Sequence, residues 1–114
     1  MGAPAVDVEA ALRALADARR RRILALVRDR PQAVGEIADR LAMSQQAVSY
    51  HLRTLREAGL VAERHERTRH LFVVRTDGLR AVQEFLDGFW PARLVALKRA
   101  AEADARAAGG EGEA

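Results

Sequence analysis

Gln45, Gln46, Ser49, Tyr50 and Arg53 carry the side chains best suited to chemistry in this chain. At 100° per residue, Gln46, Ser49, Tyr50 and Arg53 share one face of a helix, with Gln45 at its exposed start. Glutamine can bond adenine through two atoms at once, arginine can fork onto guanine, and serine adapts to a base or a phosphate. The set therefore suits the edges of duplex DNA. Gln45, Gln46 and Ser49, at the start of the helix, are placed to read bases, and Tyr50 and Arg53 to touch phosphate or sugar. A polar helix face can also be merely solvated, so the neighbouring elements decide between the two readings.

Those elements are legible in residues 34–75, VGEIADRLAMSQQAVSYHLRTLREAGLVAERHERTRHLFVVR. A short amphipathic helix, Val34–Leu41, buries Ile37, Ala38 and Leu41. After a three-residue break, Ser44 caps a second helix that runs to Ala58 and stops at Gly59. Val48, Leu52 and Leu55 form its apolar side. Leu60–His65 and Arg69–Arg75 read as strands around a turn at Glu66-Arg67-Thr68. This order is a helix-turn-helix followed by a β-hairpin wing, and it offers Arg67 and Arg69 to phosphates.

Upstream, the pattern predicts helices over Asp7–Leu15, with Val8, Leu12 and Leu15 on one face, and over Ala18–Arg28, capped by Asp17 and burying Ile23, Leu24 and Val27. Pro31 and Gln32 make a turn. Downstream, Thr76 or Asp77 starts a last helical section that Pro91 interrupts. It is either one kinked helix or two, Gly78–Gly88 and Pro91–Ala107. The expected class is mainly α with a small hairpin, one domain over residues 1–108 and a flexible tail at 109–114.

The 114 residues are 49% hydrophobic but only 4% aromatic, so the core must be aliphatic. No apolar run approaches the length that spans a bilayer, and the N-terminus lacks the pattern of a signal peptide, which points to a cytoplasmic protein without a membrane partner. The absence of cysteine excludes disulfides, thiol catalysis and thiolate metal sites. The net charge of +3 hides an asymmetry: residues 18–75 hold 13 arginines against six acids, a balance of +7, so the remainder carries −4. Positive charge thus gathers where a phosphate surface would need it.

Three further groups carry possible chemistry. His51, His65 and His70 are the only histidines. His51 projects near the apolar edge of its helix, as a packing histidine or a phosphate contact. His65 and His70 flank the wing turn, and two exposed histidines fall short of a metal site, so neither a metal nor a cofactor is expected. Arg19–Arg22 point in four directions on a helix. Some of them line the core edge or pair with acids, and the others add to the positive field. Phe85, Leu86, Phe89, Trp90, Leu94 and Leu97 exceed what a chain this small can bury. They suit a dimer seam with Leu12 and Leu15, or a pocket for an apolar ligand. Neither a nucleophile elbow nor a glycine-rich phosphate loop is present, which argues against an enzyme.

LADARRRRIL (15–24) and SQQAVSYHLRTLREAGLV (44–61), at this spacing, resemble the ArsR/SmtB family of small winged-helix repressors. The likeness covers roughly Leu12–Leu97. It implies a homodimer, joined through its first and last helices, that represses transcription from an operator until a signal releases it. The operator of such a dimer is pseudo-palindromic. The chain departs from the family at Arg67-Thr68-Arg69, where wings often carry Gly-Arg, and at Ala18, where Pro is common. It lacks the family's Cys ligands, and its last helical section has no His, so the family's arsenic, cadmium, lead, zinc and nickel sites are absent. Any releasing signal is expected to act without thiolates. The competing readings are a winged helix that docks a protein partner and one that binds RNA.

Overall fold

The computed structural model describes residues 6–112. Contacts divide the chain into two compact units, with the boundary between Gln83 and Glu84.

The first unit begins with α1 (Val8–Ala16) and α2 (Ala18–Asp29). Asp7 caps α1 by accepting the Glu9 amide at 2.9 Å. Asp17 closes α1 and opens α2, accepting the Arg19 amide at 2.8 Å. α1 buries Ala11 and Ala14, not the expected stripe of Val8, Leu12 and Leu15. Alanines let the helix axes approach closely. Leu12 stays 39% exposed, and Leu15 is only half-buried against the core.

α3 (Val34–Leu41) and α4 (Gln45–Glu57) follow with the expected limits, to within a residue. Both end in a left-handed residue, Ala42 at φ 53° and Gly59 at φ 73°. In each case the following amide reaches back five residues, Met43 to Ala38 at 3.0 Å and Leu60 to Leu55 at 2.9 Å. Only glycine enters this region without strain, so Gly59 suits its place better than Ala42 does.

β1 (Val61–Glu66) and β2 (Arg69–Val74) pair antiparallel, with Val61 opposite Val74 and His65 opposite His70. The turn is the two residues Arg67 and Thr68, with Arg67 at φ 59°. Tight hairpin turns require such a positive φ. The expected turn at Pro31-Gln32 does more than reverse the chain. Gln32 exchanges both backbone hydrogen bonds with Phe72, at 3.2 and 2.8 Å, and fixes the hairpin's inner edge to the helices.

Ile23, Val27, Ile37, Val48, Leu52, Leu55, Leu60 and Val61 form the centre of the core. α5 (Asp77–Asp87) starts against this body. The Gly78 amide donates to Gly59 O at 2.9 Å, and the Arg75 amide to Leu60 O at 2.9 Å.

The second unit comprises the end of α5 and α6 (Ala92–Gly112), so the section around Pro91 forms two helices. Of the tail expected over 109–114, residues 109–112 continue α6, and 113–114 lie outside the described residues. Arg99 pairs with Asp87 at 3.5 Å, and Phe85 meets Phe89 edge to face at 5.2 Å. Phe89 is 71% exposed and Leu97 66%.

A Cβ placed on Gly78 would lie 2.5 Å from Ala58 O and 2.9 Å from Leu60 Cδ2. Backbone cannot turn aside as a side chain can, so Gly78→Ala is expected to cost ~1–3 kcal/mol. Urea midpoints of the two proteins measure it, and equal midpoints would show that the junction yields freely.

Candidate nucleic-acid interface

α4 has two opposed faces. Val48, His51, Leu52 and Leu55 are buried, while Gln45, Gln46, Ser49, Tyr50 and Arg53 are all exposed. The first turn is set by Ser44, whose Oγ accepts the Ala47 amide at 3.1 Å. The sharp left-handed turn at Ala42 separates the helix from α3. At ~1.5 Å per residue α4 is about 20 Å long, and a helix of this thickness enters a major groove ~12 Å wide.

The wing residues divide. Arg67 stands exposed at the hairpin tip. Arg69 is ion-paired with Glu36 of α3. Glu36 also accepts the Ala33 amide at 3.1 Å, and that bond, with the charges of Arg69 and Arg30, holds its carboxyl below the usual range. Arg69 therefore fastens the wing to α3, a tertiary role that the sequence did not reveal. Between α4 and the hairpin runs a groove of about 380 Å³, with Ser49, Arg53 and Arg56 on one wall and Glu63 and His70 on the other. Arg56 escaped the sequence reading, although it lies three residues beyond Arg53, and it meets Glu63 at 3.7 Å.

Much of the Arg19–Arg22 run is structural. Arg20 donates from Nε to Ala14 O at 2.8 Å and from Nη2 to Arg13 O at 3.1 Å. Arg21 donates to Leu15 O at 2.7 Å. These guanidinium groups satisfy carbonyls at the end of α1 that have no intrahelical partner. Arg19 pairs with Asp17 at 3.1 Å. That bond and the capped amides hold the Asp17 carboxyl far below the usual range, against the opposing effect of burial.

Arg20 Nη1 also lies 3.4 Å from His51 Nδ1. A guanidinium only donates, so Nδ1 accepts and the ring proton resides on Nε2. His51 is thus the packing histidine that reads as one option in the sequence, buried on the side of α4 away from its exposed polar face.

Residues 17–63 match the profile described as "Bacterial regulatory protein, arsR family". The chain is 42% identical over 85 residues to the HTH-type transcriptional regulator Rv2034 of Mycobacterium tuberculosis, covering 75% of this chain and 79% of the relative. It belongs to the arsR family of bacterial regulators. It is accordingly a transcriptional regulator with a winged helix-turn-helix DNA-binding domain, and not an enzyme. Over 75 residues it is 39% identical to the transcriptional activator HlyU of Vibrio cholerae, covering 66% of this chain and 69% of HlyU. A homodimeric winged helix-turn-helix domain from Mycobacterium bovis superposes with a TM-score of 0.59 at 33% identity, covering 74% of this chain and 82% of that one. Among the described residues, no helix is long and apolar enough to cross a membrane.

His51 supplies a pH test. Burial lowers its pKa first, the charges of Arg19 and Arg20 lower it further, and Asp17 opposes them. The unfolded chain therefore binds this proton more readily than the folded one does. The stability contributed by neutral His51 is present at neutral pH and is lost as pH falls below ~6.5. Thermal midpoints should fall between neutrality and mild acid, and His51→Gln should flatten that slope. The lowered carboxylates Asp17 and Glu36 act at lower pH, near ~4. Parallel slopes for the two proteins above pH ~5 would rule His51 out as the cause.

Proposed function

We propose that this regulator is a homodimeric repressor that reads a pseudo-palindromic operator through Gln45, Gln46 and Ser49. Tyr50, Arg53, Arg67 and the rim around Arg69 anchor the phosphates. The observation that carries this reading is the division of α4, with Val48, Leu52 and Leu55 of its inner stripe buried and Gln45, Gln46, Ser49, Tyr50 and Arg53 of its outer face exposed. The positive balance of residues 18–75 supports it. Two-fold operators match two-fold proteins, because each half-site meets the same helix.

Dimerisation is supported by apolar surface left uncovered. Phe85, Phe89, Trp90, Leu94 and Leu97 are exposed in the second unit and Leu12 in the first, while Leu15 is shared with the core. Leu94 and Leu97 of α6 continue the exposed cluster beyond Trp90, so a second copy has apolar surface there to cover. The homodimeric state of the Mycobacterium bovis domain points the same way. The releasing signal acts without thiolates, since the chain has no cysteine. HlyU carries the name of an activator, so the direction of regulation needs its own measurement. A reporter driven by the operator should rise when this regulator is deleted; a fall would make it an activator.

Duplex titrations test the interface. If about 6–10 phosphates are met per dimer, affinity should drop ~10³–10⁵-fold between about 50 and 200 mM salt. Gln46→Ala should reduce the preference for operator over random duplex by ~1–3 kcal/mol. Arg67→Ala should weaken both duplexes alike and lower the salt slope. Equal weakening of both duplexes by Gln46→Ala would place Gln46 on the backbone, and tighter binding of single-stranded RNA would remove the operator reading.

Sedimentation tests the dimer. Trp90→Ala should cost ~3–5 kcal/mol if the indole is buried between copies, and the loss should depend on protein concentration. A stable micromolar monomer, with operator affinity indifferent to Trp90, would assign the cluster to an apolar ligand instead.

A further inference from the structure

Glu63, His65 and His70 each present one ligating atom, and these three atoms lie within 4.8 Å of one another. The arrangement follows from strand geometry. His65 and His70 are direct cross-strand partners, with ring centroids 4.0 Å apart. Glu63 lies two residues before His65, and alternation returns it to the same face of the hairpin. The expectation that no metal binds here rested on two histidines. The carboxylate of Glu63 makes a third donor.

We propose that this face of the wing is a binding site for a divalent transition-metal ion of the zinc, nickel or copper class. Two imidazoles and a carboxylate match the borderline ions of that class, and magnesium and calcium prefer oxygen donors alone. Tetrahedral zinc with bonds of ~2.0–2.1 Å holds its ligand atoms ~3.3 Å apart. The three donors therefore close by at most about 1.5 Å, and as exposed side chains on two tightly paired strands they do so by χ rotation alone. Arg56 Nη1, 3.7 Å from Glu63 Oε2, steadies the carboxylate from α4. An exposed pair of that length contributes little to stability, so recruiting Glu63 to an ion costs little. Three protein donors leave one position open to water. The site shares nothing with cysteine or C-terminal histidine sites, and it ties β1 to β2 across the hairpin.

Zinc is titrated into the DNA-free protein and followed by calorimetry and by competition with a chromophoric chelator. The outcome therefore stands or falls independently of the operator reading. One ion per chain at micromolar affinity is expected, with magnesium and calcium unable to compete. His65→Ala and His70→Ala should abolish binding, and Glu63→Gln should weaken it at least ~10-fold. These side chains are exposed, and an unchanged thermal midpoint of each zinc-free variant confirms that it folds. Absence of zinc binding at millimolar concentration would overturn the site, as would binding that ignores the His65 and His70 substitutions. Full affinity in Glu63→Gln would also overturn it, because the site would then be no more than a histidine pair.

Discussion

The structure depends on one helix being solvent-facing on one side and central to the core on the other. Val48, Leu52 and Leu55 of α4 are almost wholly inaccessible, and α1, α2, α3 and β1 all pack around that stripe. Cutting one such leucine to alanine typically costs ~2–5 kcal/mol, a large share of the ~5–15 kcal/mol that keeps a domain folded. The helix therefore cannot rotate about its axis to present other residues. The orientation of Gln46, Ser49 and Arg53 is enforced by side chains pointing the opposite way.

The same economy governs charge. A basic chain with 19 Lys and Arg residues could be taken as uniformly committed to phosphate. Asp17, Arg19, Arg20 and Arg21 instead build the joint between α1 and α2, and Arg20 extends it to His51. Arg69 joins the hairpin to Glu36. Guanidinium suits this work because it offers five donors in a fixed plane and reaches two or three carbonyls at once. The charges left for an external anion are fewer than composition suggests, and Arg53 of α4 and Arg67 at the wing tip are among them.

Local signals carried most of the fold in the sequence. Ser44, Gly59 and the apolar spacing of residues 34–41 locate α3 and α4 to within a residue, because caps and helical periodicity act over a few positions. The outward face of α4 was legible for the same reason. What depended on distant residues was not. The burial of Ala11 and Ala14, the pairing of Gln32 with Phe72 and the capture of Arg69 by Glu36 follow from tertiary packing. Glu63 is an intermediate case, since strand alternation places it beside His65, but only a fixed register brings His70 opposite. The helix through Gly109 also ran against local propensity. Glycine costs ~1 kcal/mol in a helix, and the alanine-rich run before it carries propagation onward.

The backbone bond from Gly78 to Gly59 joins the start of α5 to the end of α4 with no loop between them. A side chain at position 78 would run into the Ala58 carbonyl, so this close approach is open to glycine alone. Any larger residue at position 78 would push α5 away from the end of α4, so the seating of one helix sets the seating of the other.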